Sequence, residues 1–397
     1  MLFTRLPDKK YLLGIDMGET GCQISYLNTR RLSADMDPHT FSREPGSEAY
    51  EIPYAAVDAQ PPVGTGQTPE EGAQTTAETA QTPALATERF LRYCLECMKD
   101  ELLPEEVEAV TFTAREMDER TSKVLEEAAG RIWPDLTQLR FEEHVHSFYH
   151  YILMQDEEQR RENVMLVDGT ESSRIRVVTL SFNKKTKPIV CIPDQKICEN
   201  TDEALFALAS PMIQERKYTA AYLTGRSLTG GRMERSLDMI CRGRRAFQGD
   251  NLYSKGAAYS AMIAGGLASR ANRYFYLGAD ALRCNIGIKC RQKTREVCVS
   301  MLEAGTDWYD ARASVDVLAG PGGSVELVQT TLDRSSSRGI DITLENFPDR
   351  PPLTTRLRIT LSMRNADTML LEAEDLGFGE IFPSTGMKWE QEITING

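Results

Sequence analysis

Tyr11-Leu-Leu-Gly-Ile-Asp-Met-Gly-Glu-Thr-Gly-Cys-Gln-Ile-Ser-Tyr26 decides how the rest of the chain is read. An apolar run enters a turn with Asp16 at its mouth, Gly18 and Gly21 within it and Thr20 between them, then leaves as a second strand-like run. Two readings stand at this point. Such a turn exposes backbone N–H groups that can cradle phosphate, with the Asp16 carboxylate reaching a phosphate-bound Mg²⁺ through water. The same composition also suits an ordinary β-hairpin.

Composition narrows the class. A chain of 397 residues with 41% hydrophobic content has room for more than one domain with a sizeable core. No run approaches the ~20 apolar residues of a membrane span. Because the apolar strand begins by Tyr11, little precedes it that could act as a signal peptide, and a cytoplasmic location is expected. The net charge of −13 argues against non-specific nucleic-acid binding. Nine scattered cysteines do not form a disulfide framework and read as reduced thiols. Cys94 and Cys97 make a CxxC without a second pair at zinc-site spacing, and no acidic or cysteine ligand completes His144, His146 and His150.

Residues 58–86 are rich in Pro, Gly, Thr, Gln and Ala and lack aromatic residues, which predicts a flexible surface insertion. A helix is expected from Glu88 to Leu102, with Phe90, Leu91, Cys94, Leu95 and Met98 on one side. Val107 to Phe112 reads as a strand, and Glu119 to Ala129 as a helix closed by Gly130. Glu143 to Met154 reads as helix, Asn163 to Val167 as a buried strand before Asp168-Gly169, and Arg174 to Phe182 as its return. Thr201 to Arg216 is helical, Ala220 to Thr224 a strand, and helices are expected to about Arg273. After Tyr274 period-two runs dominate, such as those at 313–318, 324–329, 339–344 and 356–361, and they predict an antiparallel sandwich or barrel. Tyr274-Phe-Tyr-Leu277 reads equally as a coupling linker or as the sandwich's first strand. The domains that follow are 1–272, of α/β class, and 273–397, all β.

The order of three turns carries a resemblance. The Asp16 turn comes first, Asp168 ends a second buried strand, and Tyr222-Leu-Thr-Gly-Arg-Ser-Leu-Thr-Gly-Gly-Arg-Met233 follows another strand. This order resembles the actin, sugar-kinase and 70-kDa heat-shock chaperone superfamily, whose members bind ATP between two related lobes. The chaperone branch is the more similar. Glu51-Ile-Pro-Tyr-Ala-Ala-Val57 resembles its early Ile-Pro-Ser strand, and Ala109-Val-Thr-Phe-Thr-Ala114 with 120–129 resembles its strand and alanine-ended helix. Glu143-His-Val-His-Ser-Phe-Tyr149 resembles its Glu-Pro-Thr-Ala-Ala segment, and Tyr253-Ser-Lys-Gly-Ala-Ala258 its closing Gly-Ala-Ala helix. Phe347-Pro-Asp-Arg-Pro-Pro352 stands where that family has a proline-rich turn in its peptide-binding sandwich.

The resemblance implies an actin-like two-lobed ATPase domain with ribonuclease-H-like lobes, the second reduced, followed by a C-terminal antiparallel β-sandwich. It implies ATP or ADP with Mg²⁺, contacted by Gly18, Thr20, Gly21, Gly169, Thr170, Ser172, Gly225, Gly230 and Gly231. Asp16 and Asp168 would hold the metal through water, and Glu143 would orient the attacking water. A protein or peptide client would bind through 280–397, without nucleic acid or a membrane span. A chain that stops at Gly397, just after its last strand, would lack the family's helical lid.

Three departures lower the expectation of catalysis. Asp168-Gly-Thr-Glu-Ser172 replaces the family's Asp-x-Gly-Gly-Gly-Thr, and missing glycines restrict the approach of backbone to phosphate. Glu19 and Glu171 fall in turns meant for an anion. Like charges ~4 Å apart repel by about 1 kcal/mol in water and about 4 kcal/mol at an effective dielectric of about 20. Mg²⁺ or the nearby Arg174 could offset that repulsion. The interval before Tyr222 is also short for the subdomain that closes over adenine, and no catalytic lysine can be placed. The expected function is a chaperone-like ATP-binding protein with weak or lost ATPase activity. An actin-like assembly scaffold is the alternative, and a small-molecule kinase lacks a sugar-binding constellation.

Overall fold

The computed structural model describes residues 9–32, 36–44, 49–57, 82–278, 281–292, 295–306, 308, 311–332, 335–351 and 353–395. The insertion expected at 58–86 lies outside the described residues up to 81. The chain divides into two compact units, Met1–Phe182 with Asp194–Arg273, and Asn183–Pro193 with Tyr274–Gly397.

The first unit is built on two sheets. β1 (Tyr11–Met17), β2 (Gly21–Asn28), β3 (His39–Thr40), β4 (Ile52–Pro53), β5 (Val107–Ala114) and β6 (Gln138–Glu143) form one, in the order β3-β2-β1-β5-β6 with β4 on β2. β1 is antiparallel to β2 and parallel to β5, which is parallel to β6. Every residue of β1 is buried, because helices cover both faces of the sheet. On one face α1 (Pro83–Cys97) and α2 (Glu119–Ile132) close a core through Phe90, Leu91, Cys94 and Leu125. α3 (His144–Met154) follows β6.

The second sheet repeats the first. β7 (Asn163–Asp168), β8 (Arg174–Asn183), β9 (Ile189–Glu199), β10 (Tyr218–Thr224) and β11 (Arg245–Gln248) lie in the order β11-β10-β7-β8-β9. Here too the first strand is antiparallel to the second and parallel to the fourth, which is parallel to the last. α4 (Asp202–Glu215) and α5 (Glu234–Cys241) pack on this sheet through Leu205, Ala209 and Ile240. α6 (Leu252–Ala264) follows β11 but packs on the first sheet, against Leu12, Leu27 and Ala109. α3 in turn meets the second sheet, where Phe148 stacks edge-on against Tyr222 at 5.6 Å. Two glycines allow this crossing. A Cβ on Gly14 would lie 2.1 Å from the Ser254 carbonyl of α6, and one on Gly256 would lie 2.1 Å from the Ser147 carbonyl of α3.

In the second unit, β12 (Tyr274–Tyr276) pairs in parallel with residues 189–191 of β9. β13 (Cys284–Gln292), β14 (Arg295–Leu302), β15 (Arg312–Leu318), β16 (Ser324–Thr331), β17 (Ser337–Thr343), β18 (Arg356–Asn365), β19 (Thr368–Gly377) and β20 (Lys388–Thr394) follow. They form two antiparallel sheets, β14-β13-β16-β17 and β15-β18-β19-β20. Ile286, Ile288 and Leu327 from one sheet share a core with Leu357, Ile359, Leu361 and Leu371 from the other, the arrangement of a sandwich.

Several sequence expectations shift. α1 starts at Pro83 and ends at Cys97, earlier than expected at both ends. Gly130 lies inside α2, which runs on because the buried Trp133 caps it. β9 was not foreseen, since its burial does not alternate, and β11 interrupts a stretch read as helical. Tyr274–Tyr276 belongs to neither sandwich sheet.

Candidate functional site

Equivalent positions of the two sheets carry the two candidate aspartates. Asp16 sits at the carboxyl end of β1 opposite Thr113 of β5, and Asp168 at the end of β7 opposite Thr224 of β10. Carboxyl ends of parallel strands beside a change of strand direction are where α/β folds place ligands. Both aspartates are buried and each is bonded within the protein, Asp16 through Oδ1 and Asp168 through both oxygens. Asp16 Oδ1 lies 2.7 Å from His144 Nε2, whose ring stacks on Tyr253 at 3.8 Å with planes 11° apart. Tyr253 donates its hydroxyl to Asp168 Oδ2 at 2.8 Å. Asp168 Oδ1 accepts from the Thr170 backbone N–H and hydroxyl, and Arg176 lies 3.5 Å from Oδ2. The two strand ends are thus joined by a histidine from α3 and a tyrosine from α6. Burial pushes the Asp168 carboxyl up, but Arg176, Thr170 and His144 outweigh it and hold the group below the usual carboxylate range. Burial and Asp168 push the Tyr253 hydroxyl well up, so it stays a donor.

The second and third candidate turns touch directly, and the first is linked to the third through Glu51. Arg115, just after β5, forms an ion pair through Nη1 with Glu171 and donates through Nη2 to Thr170 Oγ1 at 3.1 Å. Arg226 in the third turn lies 3.9 Å from Glu51, which accepts from Thr20 of the first. Ser227 N–H donates to the Gly169 carbonyl, and Asn200 Nδ2 donates to the Ser172 carbonyl and to Ser227.

The N–H groups proposed to cradle phosphate are largely used within the protein. Gly18 N–H bonds the Gly21 carbonyl, Gly169 N–H the Thr224 carbonyl, and Gly225 N–H the Asp250 carboxylate. Gly225, at φ 96°, lets the third turn press on the second, since its Cβ would lie 2.2 Å from the Gly169 carbonyl carbon. Gly169 is itself covered, with a Cβ position 2.9 Å from Leu228 Cγ. Gly230 and Gly231 lie open at the surface. Glu143 heads α3 with an exposed side chain. Its neighbour Glu142 is buried instead, 3.2 Å from His150 Nδ1 and bonded by Ser147 and Ser260. A hydrated Mg²⁺ needs carboxylate oxygens turned to water, and Asp168 has both committed. As these side chains stand, the residues fit neither the triphosphate nor its metal. Among the described residues no cluster of three or more His, Cys, Asp or Glu could hold a metal ion.

Sequence reasoning missed the partners. Arg174, the cation weighed against Glu171, is exposed; Arg115 and Arg176 supply the charge. The signal for Arg176 lay in the strand period, since it shares a face with Arg174 but lies one step deeper. A cavity of about 290 Å³ lies beside the third turn, lined among others by Tyr50, Tyr151, Tyr222, Phe247, Asp250 and Lys255. Its Tyr222 and Phe247 rings stack at 4.9 Å.

These features define a two-lobed α/β protein with repeated lobes, whose strand-end carboxylates are satisfied from within. The chain belongs to the family of unknown function DUF5716, whose C-terminal region matches residues 68–279. A domain of unknown function, DUF8552, matches residues 281–395. No curated protein matches. Among solved structures, the ethanolamine utilization protein EutJ from Carboxydothermus hydrogenoformans is similar at TM-score 0.35 and 9% identity, over 64% of this chain and 91% of that one. The activator of the 2-hydroxyisocaproyl-CoA dehydratase from Clostridium difficile, with bound ADPNP, is similar at TM-score 0.35 and 9% identity, over 64% and 96%. Likeness at that level leaves the function of this chain to be argued from its own residues.

Proposed function

We propose that this protein is an actin-type, two-lobed relative of the chaperone ATPases that has lost ATP hydrolysis and acts by holding a protein partner. One observation carries the reading: the two strand-end aspartates are bonded within the protein, Asp16 through one oxygen to His144 and Asp168 through both to Tyr253, Thr170 and Arg176. Phosphoryl transfer relies on positioned metal and water, and a carboxylate already bonded by Tyr253, Thr170 and Arg176 supports the reading that it no longer holds them. The cavity beside Asp250 is near the lower size limit of small-molecule sites and suits the base and ribose of a nucleotide better than its phosphates. The second unit supplies the interaction surface. Leu318, Leu353, Phe378 and Ile381 are exposed at one end of its second sheet, where Leu318 pairs with Arg356 and Arg356 with Gly377.

Calorimetric titration with Mg-ATP, Mg-ADP and adenosine tests the nucleotide half. All three should bind within about threefold of one another and at micromolar affinity or weaker, near −8 kcal/mol at best. Phosphate release should not exceed that of Asp16→Asn. Mg-dependent ATP binding more than tenfold tighter than adenosine would sink the reading.

A further inference from the structure

We propose that Glu171 is a built-in surrogate for a ligand phosphate: its carboxylate occupies the Arg115 guanidinium and so shuts a phosphate-anion site that this guanidinium would otherwise offer. The inference rests on the nucleotide-derived reading of this cleft. Arg115 directly follows β5 of the first sheet and Glu171 lies in the turn after β7 of the second, so the pair spans the two lobes. Both side chains are largely shielded, at 22% and 18% exposure. A guanidinium takes a carboxylate or a phosphate through the same fork of donors, so one can stand in for the other. The Glu171 backbone is pinned as well, its carbonyl accepting from Ser227 Oγ at 3.1 Å, which holds the carboxylate in place. Thr170 Oγ1 accepts from Arg115 while donating its own proton to Asp168, so it orients the guanidinium that Glu171 occupies. Asp168 is balanced by Arg176, and Arg115 also feels the charge of Glu19, so removing Glu171 takes one negative charge out of a crowded site. An internal carboxylate competes at a high effective concentration, so an external anion meets a site that is already filled.

The test is calorimetric titration of the full chain, as wild type, Glu171→Ala and Arg115→Gln/Glu171→Ala, with pyrophosphate and separately with adenosine. Wild type should bind pyrophosphate only at millimolar levels, Glu171→Ala at least tenfold tighter, and the double variant should fall back to wild type. Glu171→Gln, which keeps the side-chain volume, serves if Glu171→Ala melts early. No gain on removing the Glu171 charge, or a gain that survives loss of Arg115, overturns the proposal. Adenosine reads the neighbouring cavity independently: failure to bind in all three proteins counts against the nucleotide-derived reading, while the pyrophosphate series still decides the role of Glu171.

Discussion

At the residue scale, the buried acids support the fold. Burial pushes the Glu142 carboxyl up, but His150, His146 and Ser147 outweigh it and bring it down to about 2, against an ordinary value of 4.5. A depressed folded pKa gives stability that is complete above the ordinary value and is lost as pH falls from 4.5 through about 2. Glu142→Gln should therefore lower stability by about 3 kcal/mol at pH 7, with the difference shrinking below pH 4.5. Denaturant melts of both proteins from pH 7 to 3 check this, and a pH-independent difference would assign the loss to packing alone. Asp168→Asn removes the charge that Tyr253, Thr170 and Arg176 share. On the proposed reading, in which this carboxylate holds structure, it should destabilise by about 3 kcal/mol without changing phosphate release. A variant that stays stable but changes ATP turnover would reverse that assignment. The aspartates were legible because strand-end Asp before Gly is a turn signature. His144, Tyr253 and Arg115 were not, because nothing local marks a side chain whose partner lies on another element.

At the element scale, two kinds of glycine separate. Gly256→Ala drives a Cβ onto the Ser147 carbonyl at the crossing of α3 and α6, where backbone cannot yield. It should cost more than about 3 kcal/mol, or leave the protein insoluble. Gly130→Ala, inside α2 with open space around it, should stabilise by about 0.5–1 kcal/mol through helix propensity. Equal effects at both sites in thermal melts would show that the helix crossing is looser than its geometry implies. The sequence marked Gly130 as a helix stop because glycine favours that position; the apolar anchor Trp133 carries the helix past it.

At the scale of the whole molecule, the second unit carries its own core. Among the described residues, the cluster from Leu282 to Ile395 draws on both sandwich sheets, their connections and the residues that flank them. Residues 280–397 expressed alone should unfold in one cooperative transition and bind an apolar extended peptide at ~100 μM or better. Phe378→Ser/Ile381→Ser should keep that transition and weaken binding, since both side chains are exposed. A folded fragment that binds no peptide would remove the client-holding half of the proposed function.

The sequence by itself determined the run of elements that local patterning controls: the buried β1, the strand before Asp168, the helices from 144 and 202, and the alternating strands after Tyr274. Each is written in side chains two, three or four positions apart, so the chain's own periodicity suffices. Tertiary structure alone decided that the two sheets repeat one strand order, that α3 and α6 cross, and that Asp16 and Asp168 are bonded from within. Those outcomes depend on which surfaces meet at long range, and a turn that could hold phosphate has the same local sequence whether or not another element fills it first.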